Sequence, residues 1–274
     1  MKLSVLMSVY HRESPEFLRQ SLDSLAAQTI QADEVVVVKD GPLGNELDTA
    51  IDSYAGKLPI VVLQLKNNVR LGLALQAGLS QCRGELVARM DTDDICLPER
   101  FEKQLTFLER NPEVDVVGGA IAEFDTDWTK IDAIRRMPCD AELVDRIARR
   151  RNPLNHMTVM FRKASVIAAG NYQNCNGPMV SLEDYDLWAR MLMQGARIRN
   201  LEDVLVYARI GNSMLQRRGG FRYLQEEARL QYRFMKMGFL SKGQFVLNLV
   251  SRAPVRLAPV SLRAAVYRRV LRQN

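Results

Sequence analysis

The stretch Leu86-Val87-Ala88-Arg89-Met90-Asp91-Thr92-Asp93-Asp94 sets three carboxylates directly behind a short apolar run. Aspartates two residues apart at the end of a strand can share one hard cation, Mg²⁺ or Mn²⁺, and such a cation keeps open positions for phosphate oxygens. The first ligand to consider is therefore a nucleoside diphosphate. The alternative is a polar turn before a helix that begins near Leu97-Pro98-Glu99-Arg100, in which Asp94 interacts with the helix dipole.

The segments around this stretch alternate between strand and helix patterns. Apolar, β-branched runs predict strands at 2–10, 34–38, 60–65 and 85–90, and helical spacing of apolar residues predicts helices at 15–28, 47–54 and 73–81. This alternation predicts an α/β fold with a mostly parallel sheet that is covered on both faces. Ligands of such sheets bind beyond the carboxyl ends of the strands. The loops at that edge contain Tyr10, Asp40, Arg70 and Asp91.

The second half of the chain is less regular. We predict strands at 114–122 and 155–161, helices at 141–150, 163–169, 182–193 and 221–237, and a loop rich in Asn and Gly at 170–178. Two shorter segments, 245–250 and 262–271, are apolar and basic, and Pro254 and Pro259 interrupt this region. Beyond Glu227 there are ten lysines and arginines and no acidic residue, which indicates a surface that faces negative charge.

Composition excludes several classes of protein. With 274 residues, 47% of them hydrophobic, the chain can bury a large core. No apolar run reaches the roughly 18 residues of a membrane-spanning helix, so we expect neither a signal peptide nor an integral membrane protein. The four cysteines form no Cys-x-x-Cys pair and indicate reduced thiols in a cytosol. The net charge of +6 comes without a recognition helix, which disfavours nucleic-acid binding, and the absence of Gly-x-x-x-x-Gly-Lys and Gly-x-Gly-x-x-Gly disfavours P-loop and dinucleotide-binding enzymes.

Five motifs in the first 215 residues occur in an order that resembles a known family. They are Leu3-Ser4-Val5-Leu6-Met7-Ser8-Val9-Tyr10, Val38-Lys39-Asp40-Gly41-Pro42, Asn68-x-Arg70-x-Gly72, Asp91-Thr92-Asp93-Asp94 and Ser181-Leu182-Glu183-Asp184-Tyr185-Asp186-Leu187-Trp188. Together they resemble the inverting family-2 nucleotide-sugar glycosyltransferases, which have the Rossmann-like GT-A fold. The stretch from Asn152 to Arg162 is most similar to the amylovoran-type and O-antigen-type enzymes of bacterial surface polysaccharide assembly.

The resemblance implies a donor site. Tyr10 would border the nucleotide base, while Asp40 and Arg70 would hold uracil or ribose. Many relatives have two aspartates where this chain has Lys39 and Asp40, so here the contact depends on Asp40 alone. Asp93 is implied as the metal ligand of the Asp-x-Asp motif, with Asp91 beside it near the ribose or acting through water.

The resemblance also implies an acceptor side. Asp184 corresponds to the general base, and the chemistry agrees, because an acceptor hydroxyl needs a base on the face opposite the leaving group. A single base without an enzymic nucleophile predicts inversion. Glu183 beside Asp184 is interpreted as an acceptor or pyrophosphate contact, and the alternative is that Glu183 and Asp184 only decorate a helix N-terminus. His156 is interpreted as an acceptor or pyrophosphate contact, a third metal ligand or a buried hydrogen-bonded residue, and Trp188 as an acceptor contact or a core residue.

A basic segment follows these motifs. The stretch Tyr207-Ala208-Arg209-Ile210, with Gln216-Arg217-Arg218 behind it, resembles the loop that closes over the donor phosphate in non-processive relatives. Arg209, Arg217 and Arg218 would then neutralise the pyrophosphate, with a solvated basic run as the alternative. The Gln-x-x-Arg-Trp pattern of processive synthases is absent, which implies one sugar per encounter.

The expected protein is a GT-A glycosyltransferase domain at 1–215, with a nucleotide-binding half (1–95) and an acceptor half (96–215), followed by a helical basic C-terminal region (216–274) on a membrane surface. It would move one sugar, galactose by subgroup, from a UDP-sugar to a lipid-diphosphate-linked saccharide. Its place would be cytoplasmic, peripheral on the inner membrane, with a homodimer as a further expectation. The alternatives are a scaffold that binds nucleotide or membrane without catalysis, and a metal-dependent phosphatase.

Overall fold

The computed structural model describes residues 1–174, 182–210 and 219–259. The strands in this part of the chain are β1 (Leu3–Val9), β2 (Glu34–Lys39), β3 (Ile60–Gln64), β4 (Leu86–Arg89), β5 (Ile95–Cys96), β6 (Val116–Phe124), β7 (Ala133–Arg135), β8 (Met160–Arg162) and β9 (Ile198–Arg209). The helices are α1 (Pro15–Ala26), α2 (Asn45–Asp52), α3 (Leu71–Gln81), α4 (Arg100–Arg110), α5 (Ala141–Ala148), α6 (Lys163–Ala168), α7 (Glu183–Met193), α8 (Phe221–Lys236) and α9 (Lys242–Leu257), with a 3₁₀ turn at His156–Thr158.

The strands form one mixed sheet in the order β3-β2-β1-β4-β8-β6-β9-β5, with β7 paired to β6. The first four strands in this order are parallel, β8 runs against both of its neighbours, and β6 and β9 are parallel to each other. The carboxyl ends of β1, β2, β4, β6 and β9 therefore meet at one edge. The predicted α/β fold, with its largely parallel sheet flanked by helices, is confirmed.

Both faces of the sheet are covered because alternate strand residues enter different cores. Val5 and Met7 pack in one cluster with residues of α1, α2 and α4, whereas Leu6 packs in a second cluster with residues of α3 and α7. The start of α1 follows from its sequence, since the Ser14 side chain accepts a hydrogen bond from the Phe17 N–H ahead of Pro15.

Three predicted elements were wrong in detail. The segment predicted as a strand at 155–161 is a 3₁₀ turn followed by the short β8. Residues 207–209, predicted to lie in a loop, form the end of β9, a twelve-residue strand that the sequence did not indicate. Near the C-terminus, one helix, α9, runs through Pro254 where the sequence predicted shorter, interrupted segments.

The C-terminal helices pack on the rest of the fold. Leu230 and Phe234 of α8 join a third apolar cluster with Tyr185 of α7. Arg233 of α8 also forms an ion pair of 2.9 Å with the buried Asp186 of α7. Among the described residues, no helix has the length and apolar character needed to span a membrane.

Candidate functional site

Three carboxylates lie together in the turn that follows β4. Oxygens of Asp91, Asp93 and Asp94 lie within 4.8 Å of one another. Burial and the charge of Asp91 raise the pKa of Asp93 to about 6, and burial together with its two neighbours raises the pKa of Asp94 well above its usual value. A cation shared by these oxygens would relieve their repulsion, so the donor set fits Mg²⁺ or Mn²⁺.

Arg209, at the end of β9, holds this turn in place. Its backbone N–H donates to Oδ1 of Asp94 (2.8 Å) and its Nε donates to the carbonyl oxygen of Asp93 (3.1 Å). The guanidinium lies between two rings, 3.8 Å from the centroid of Phe17 and 4.6 Å from that of Phe124. Arg209 therefore fixes the backbone of the acidic turn, and its predicted contact with a pyrophosphate stays a prediction.

Arg89 lies beneath the turn on β4 and is almost completely buried. One of its terminal nitrogens forms an ion pair with Asp91, whereas Nε and Nη1 have no hydrogen-bond partner among the described residues. Next to it, the Nε2 of His156 and the hydroxyl of Tyr172 share a hydrogen bond of 2.9 Å. Burial and the charge of Arg89 hold the pKa of His156 well below its usual value. His156 is therefore neutral, and it can exchange a hydrogen bond but cannot act as a cation.

Asp40 lies at the end of β2 and organises the loop before α3. Its two carboxylate oxygens accept hydrogen bonds from the backbone N–H groups of Val69 (2.6 Å) and Arg70 (3.0 Å). Burial raises the pKa of Asp40, and these two hydrogen bonds oppose the shift. Arg70 has a φ of 76°, so this bond secures a backbone conformation that a non-glycine residue rarely adopts.

The departure at Lys39 has a structural explanation. Its Nζ forms an ion pair of 2.7 Å with Asp48 of α2, so the lysine acts away from the loop that Asp40 holds. Gly41 has a φ of 87°, and a Cβ there would lie 2.7 Å from the backbone nitrogen of Asn68. Tyr10 is adjacent, because the backbone N–H of Asp40 donates to the carbonyl of Val9.

Glu183 and Asp184 open α7, and Glu183 is close enough to the acidic turn for the charge of Asp91 to act on it. The carboxylate of Asp184 accepts hydrogen bonds from the Asn152 side chain (2.5 Å) and from the backbone N–H of Tyr185 (2.7 Å). Glu183 is buried, and burial together with the charge of Asp184 raises the pKa of Glu183 to about 7. A Cβ added to Gly72, in the first turn of α3, would lie 3.1 Å from the Cβ of Glu183, so the loop organised by Asp40 and the start of α7 are in contact.

The structure thus brings the predicted donor, metal and catalytic residues to one edge of the sheet. Trp188 is fully buried in the core and packs edge-on against His156, with ring centroids 6.1 Å apart, and its predicted acceptor contact stays a prediction. Arg217 and Arg218 lie outside the described residues.

Comparison with known proteins identifies the family. The model of "Glycosyl transferase family 2" matches residues 4–170, which is more than half of the chain. The chain belongs to glycosyltransferase family 2. The predicted resemblance is confirmed, and the sheet edge described above is the candidate active site of this glycosyltransferase.

Two relatives are similar over nearly their whole length. The glycosyltransferase is 43% identical to the amylovoran biosynthesis glycosyltransferase AmsE of Erwinia amylovora, over 96% of this chain and 97% of the relative. It is 36% identical to the UDP-Gal:alpha-D-GlcNAc-diphosphoundecaprenol beta-1,3-galactosyltransferase of Escherichia coli, over 99% of this chain and 97% of the relative. The crystal structure of S. aureus TarS 1-349 in complex with UDP-GlcNAc shares the fold, with a TM-score of 0.69 and 20% identity, over 99% of this chain and 76% of that one. The GT-A fold predicted from the motifs is confirmed.

Sequence reasoning missed three side chains of this glycosyltransferase site. Arg89 interrupts the apolar run of β4, and a charge at that point of a buried strand was the available signal. Asn152 lies in a segment that the resemblance included, but its contact with Asp184 spans 32 positions of the chain. Tyr172 lies in the loop predicted at 170–178, where nothing in the sequence indicated that its hydroxyl meets His156.

Proposed function

We propose that this protein is an inverting, non-processive transferase that moves one galactose from a UDP-sugar to a lipid-diphosphate-linked saccharide in bacterial surface polysaccharide synthesis. The observation that carries the proposal is that the acidic turn of Asp91, Asp93 and Asp94 lies close to the start of α7, where burial and the charges of Asp184 and Asp91 raise the pKa of Glu183. The full-length similarity to the galactosyltransferase of E. coli supports the donor and the acceptor class, and the similarity to AmsE supports the polysaccharide context.

The donor would lie along the carboxyl ends of β1, β2 and β4. Tyr10 is half-buried next to Asp40 and offers a ring against which a base can stack. The Asp40 carboxylate is already occupied by backbone N–H groups, so its part in donor binding is to set the shape of the 67–70 loop. Arg70, exposed at the end of that loop, is the side chain that would contact the nucleotide.

Asp93 and Asp91 would hold a divalent cation, with Asp94 beside them. When bound, such a cation supplies Lewis-acid stabilisation of the charge that develops on the leaving diphosphate. The protein prepares the ligands in advance, because Arg89 orients Asp91 and Arg209 fixes the backbone of Asp93. An incoming cation would therefore meet carboxylates that need little rearrangement.

Asp184 would take the proton from the acceptor hydroxyl as that oxygen attacks the anomeric carbon. The hydrogen bonds from Asn152 and Tyr185 set the orientation of its carboxylate, and Asp184 is half-buried. Glu183, with its raised pKa, lies behind it as a group that can be neutral near neutral pH, which limits the negative charge on this wall. Attack from the side opposite the diphosphate, without a covalent intermediate, gives inversion.

A lipid-linked acceptor requires access to a membrane. We propose a peripheral position on the cytoplasmic face of the inner membrane, with the basic C-terminal region as the contact. The phosphatase alternative places its aspartate pair behind the first strand, whereas here β1 is followed by Tyr10 and the acidic turn follows β4.

The first test is calorimetric titration of UDP into the protein with Mn²⁺ and, separately, with a chelator. We expect binding that needs Mn²⁺ and is lost in Asp93→Asn. A transfer assay follows, with UDP-galactose, UDP-glucose and UDP-GlcNAc as donors and a short-chain lipid-diphosphate-linked GlcNAc as acceptor. Asp184→Asn should keep UDP binding and lose transfer, and the product should have the opposite anomeric configuration to the donor. UDP binding without transfer from any donor would contradict the proposed activity and favour the alternative of a non-catalytic scaffold.

A further inference from the structure

The last described helix, α9, exposes large apolar side chains and turns polar side chains toward the protein. Four large apolar side chains expose more than half of their surface: Val246 (56%), Leu247 (56%), Val250 (65%) and Leu257 (55%). Their spacing of one, three and seven residues places them on one side of the helix. We call these four residues the α9 stripe. A helix that only completes a globular core would turn this stripe inward.

The opposite side of α9 is polar and faces the protein. Asn248 is buried, and its side chain donates to Oε1 of Gln231 (2.8 Å) and to the carbonyl oxygen of Arg149 (2.9 Å). Arg252 and Arg256 both form ion pairs with the buried Glu227 of α8, at 2.7 and 2.8 Å. These contacts fix the rotation of α9 about its axis, so the α9 stripe is held outward by polar bonds on its far side.

The apolar surface continues onto the start of α8. The backbone N–H of Gly220 donates to the carbonyl oxygen of Arg256 (2.9 Å), which brings Phe221 close to the Leu257 end of the α9 stripe. Phe221 is 72% exposed. Scattered exposed apolar residues are ordinary, but a continuous row of this kind marks a surface that another phase or molecule covers.

The charge around the α9 stripe indicates which partner covers it. Residues 219–259 contain two glutamates, Glu226 and Glu227, and both are buried. Of the seven lysines and arginines in this range, three form ion pairs with buried carboxylates, and the other four are exposed: Arg222, Arg229, Lys236 and Lys242. Arg150 and Arg151 are exposed beside α9, since the carbonyl of Arg150 accepts a hydrogen bond from Arg252. An isologous dimer through this face would bring two positive surfaces together, whereas an anionic bilayer attracts both the apolar row and its basic rim.

We propose that the α9 stripe and Phe221 insert into the headgroup layer of an anionic bilayer, with Arg150 and Arg151 at the rim. The biological use of this surface rests on the proposed function. Arg151 directly precedes Asn152, which holds the candidate base Asp184, so the surface and the acceptor side of the site share one segment of chain. Bilayer contact at α9 would bring that side of the site toward the membrane plane.

The test is co-sedimentation of the full chain with vesicles of phosphatidylcholine, with and without phosphatidylglycerol, in the absence of donor and acceptor. The variant Val246→Ser/Leu247→Ser/Val250→Ser should reduce the partition coefficient on phosphatidylglycerol vesicles by about tenfold or more, since three partly inserted apolar side chains are lost. The matched control is Ile30→Ser/Val62→Ser/Ile167→Ser, which removes three apolar side chains that are 39%, 44% and 45% exposed on other parts of the surface and should bind like the unaltered protein. The far-UV circular dichroism spectrum and the Tm serve as the test of folding for both variants, because neither depends on the proposed function.

Equal vesicle binding by the stripe variant and the unaltered protein would overturn the proposal. A second result would also overturn it: the unaltered protein is a dimer in light scattering and does not bind vesicles, and the stripe variant is a monomer. The face would then be a subunit interface. The two proposals fail separately. Vesicle binding without sugar transfer in any assay would contradict the proposed function and support the membrane-binding surface. Sugar transfer to a short-chain acceptor without vesicle binding would support the proposed function and contradict the membrane-binding surface.

Discussion

Arg89→Met tests whether a buried cation holds the acidic turn in place. The substitution keeps most of the apolar volume and removes the ion pair with Asp91. Breaking a fully buried pair from one side costs about 3 to 5 kcal/mol. Here water can compensate in part, because the Asp91 side chain is 30% exposed, and two of the Arg89 nitrogens already lack partners in the described structure. We therefore expect a loss of about 2 kcal/mol in the free energy of unfolding.

Urea denaturation followed by circular dichroism measures this loss. It should appear as a fall of about 5 °C in Tm in a parallel thermal experiment. The loss should be largest in chelator and smaller with Mn²⁺ present, since a bound cation would replace the missing positive charge beside Asp91 and stabilise only the folded state. The stability of Arg89→Lys, which keeps the charge and loses the planar geometry, should lie between that of the unaltered protein and that of Arg89→Met.

A double-mutant cycle isolates the pair. Asp91→Asn alone and Arg89→Met alone should each destabilise the protein, whereas the combined variant should lose less than the sum of the two. If Arg89→Met unfolds at the same urea concentration as the unaltered protein, or if the two losses simply add, then Arg89 does not hold Asp91 and its position beneath the turn has another cause.

The remaining predictions concern the acidic turn and the contact between α3 and the start of α7. Because the pKa of Asp93 is raised to about 6, Mn²⁺ binding by calorimetry should weaken as the pH falls through that value, when a proton competes for the carboxylate. Glu183 has a pKa of about 7 in the folded state against an ordinary value of 4.5. Between these two pH values the native state binds more protons than the unfolded state, so the free energy of unfolding should fall as the pH rises from 4.5 to 7. Glu183→Gln should remove that slope, and an unchanged pH profile of urea midpoints would contradict it. Gly72→Ala should lower both Tm and UDP affinity, because its methyl group would crowd Glu183, whereas Gly44→Ala, where an added Cβ meets nothing, should change little.

Much of the fold could be predicted because the strands that carry the site are simple. β1 and β2 consist mostly of buried apolar residues, and α1 between them has a clear apolar face. The motifs at their carboxyl ends then had to converge, since parallel strands bring those ends together. This is why the acidic turn, Asp40 and Tyr10 were placed correctly without any tertiary information.

β9 could not be predicted, because its pattern is broken by a bulge. Its register against β6 shifts between Asn200 and Val204, and Glu202 and Asp203 are exposed at that point. Two charged residues in the middle of a strand hide the period of two. Pro254 predicted a break where the helix continues. It lies on the exposed side of α9, where water can hydrate the carbonyl that loses its partner.

The functional pairs that were missed are long-range. Arg209 reaches Asp94 across 115 positions and does so through its backbone N–H, which any residue other than proline could supply. Asn152 holds Asp184 through a contact that depends on how α5 and α7 pack. Such pairings follow from tertiary structure and leave no local pattern in the chain.

The pairing of β5 with β9 has a consequence for how the protein is made. Ile95 and Cys96 directly follow the acidic turn, yet their only strand partners in the described chain are Tyr207 and Val206. During synthesis, the turn would leave the ribosome long before the strand that secures it, and contacts of such sequence separation form slowly. A nascent chain released before residue 209 would hold the carboxylates without the clamp, so the cation site should be among the last parts of the enzyme to mature.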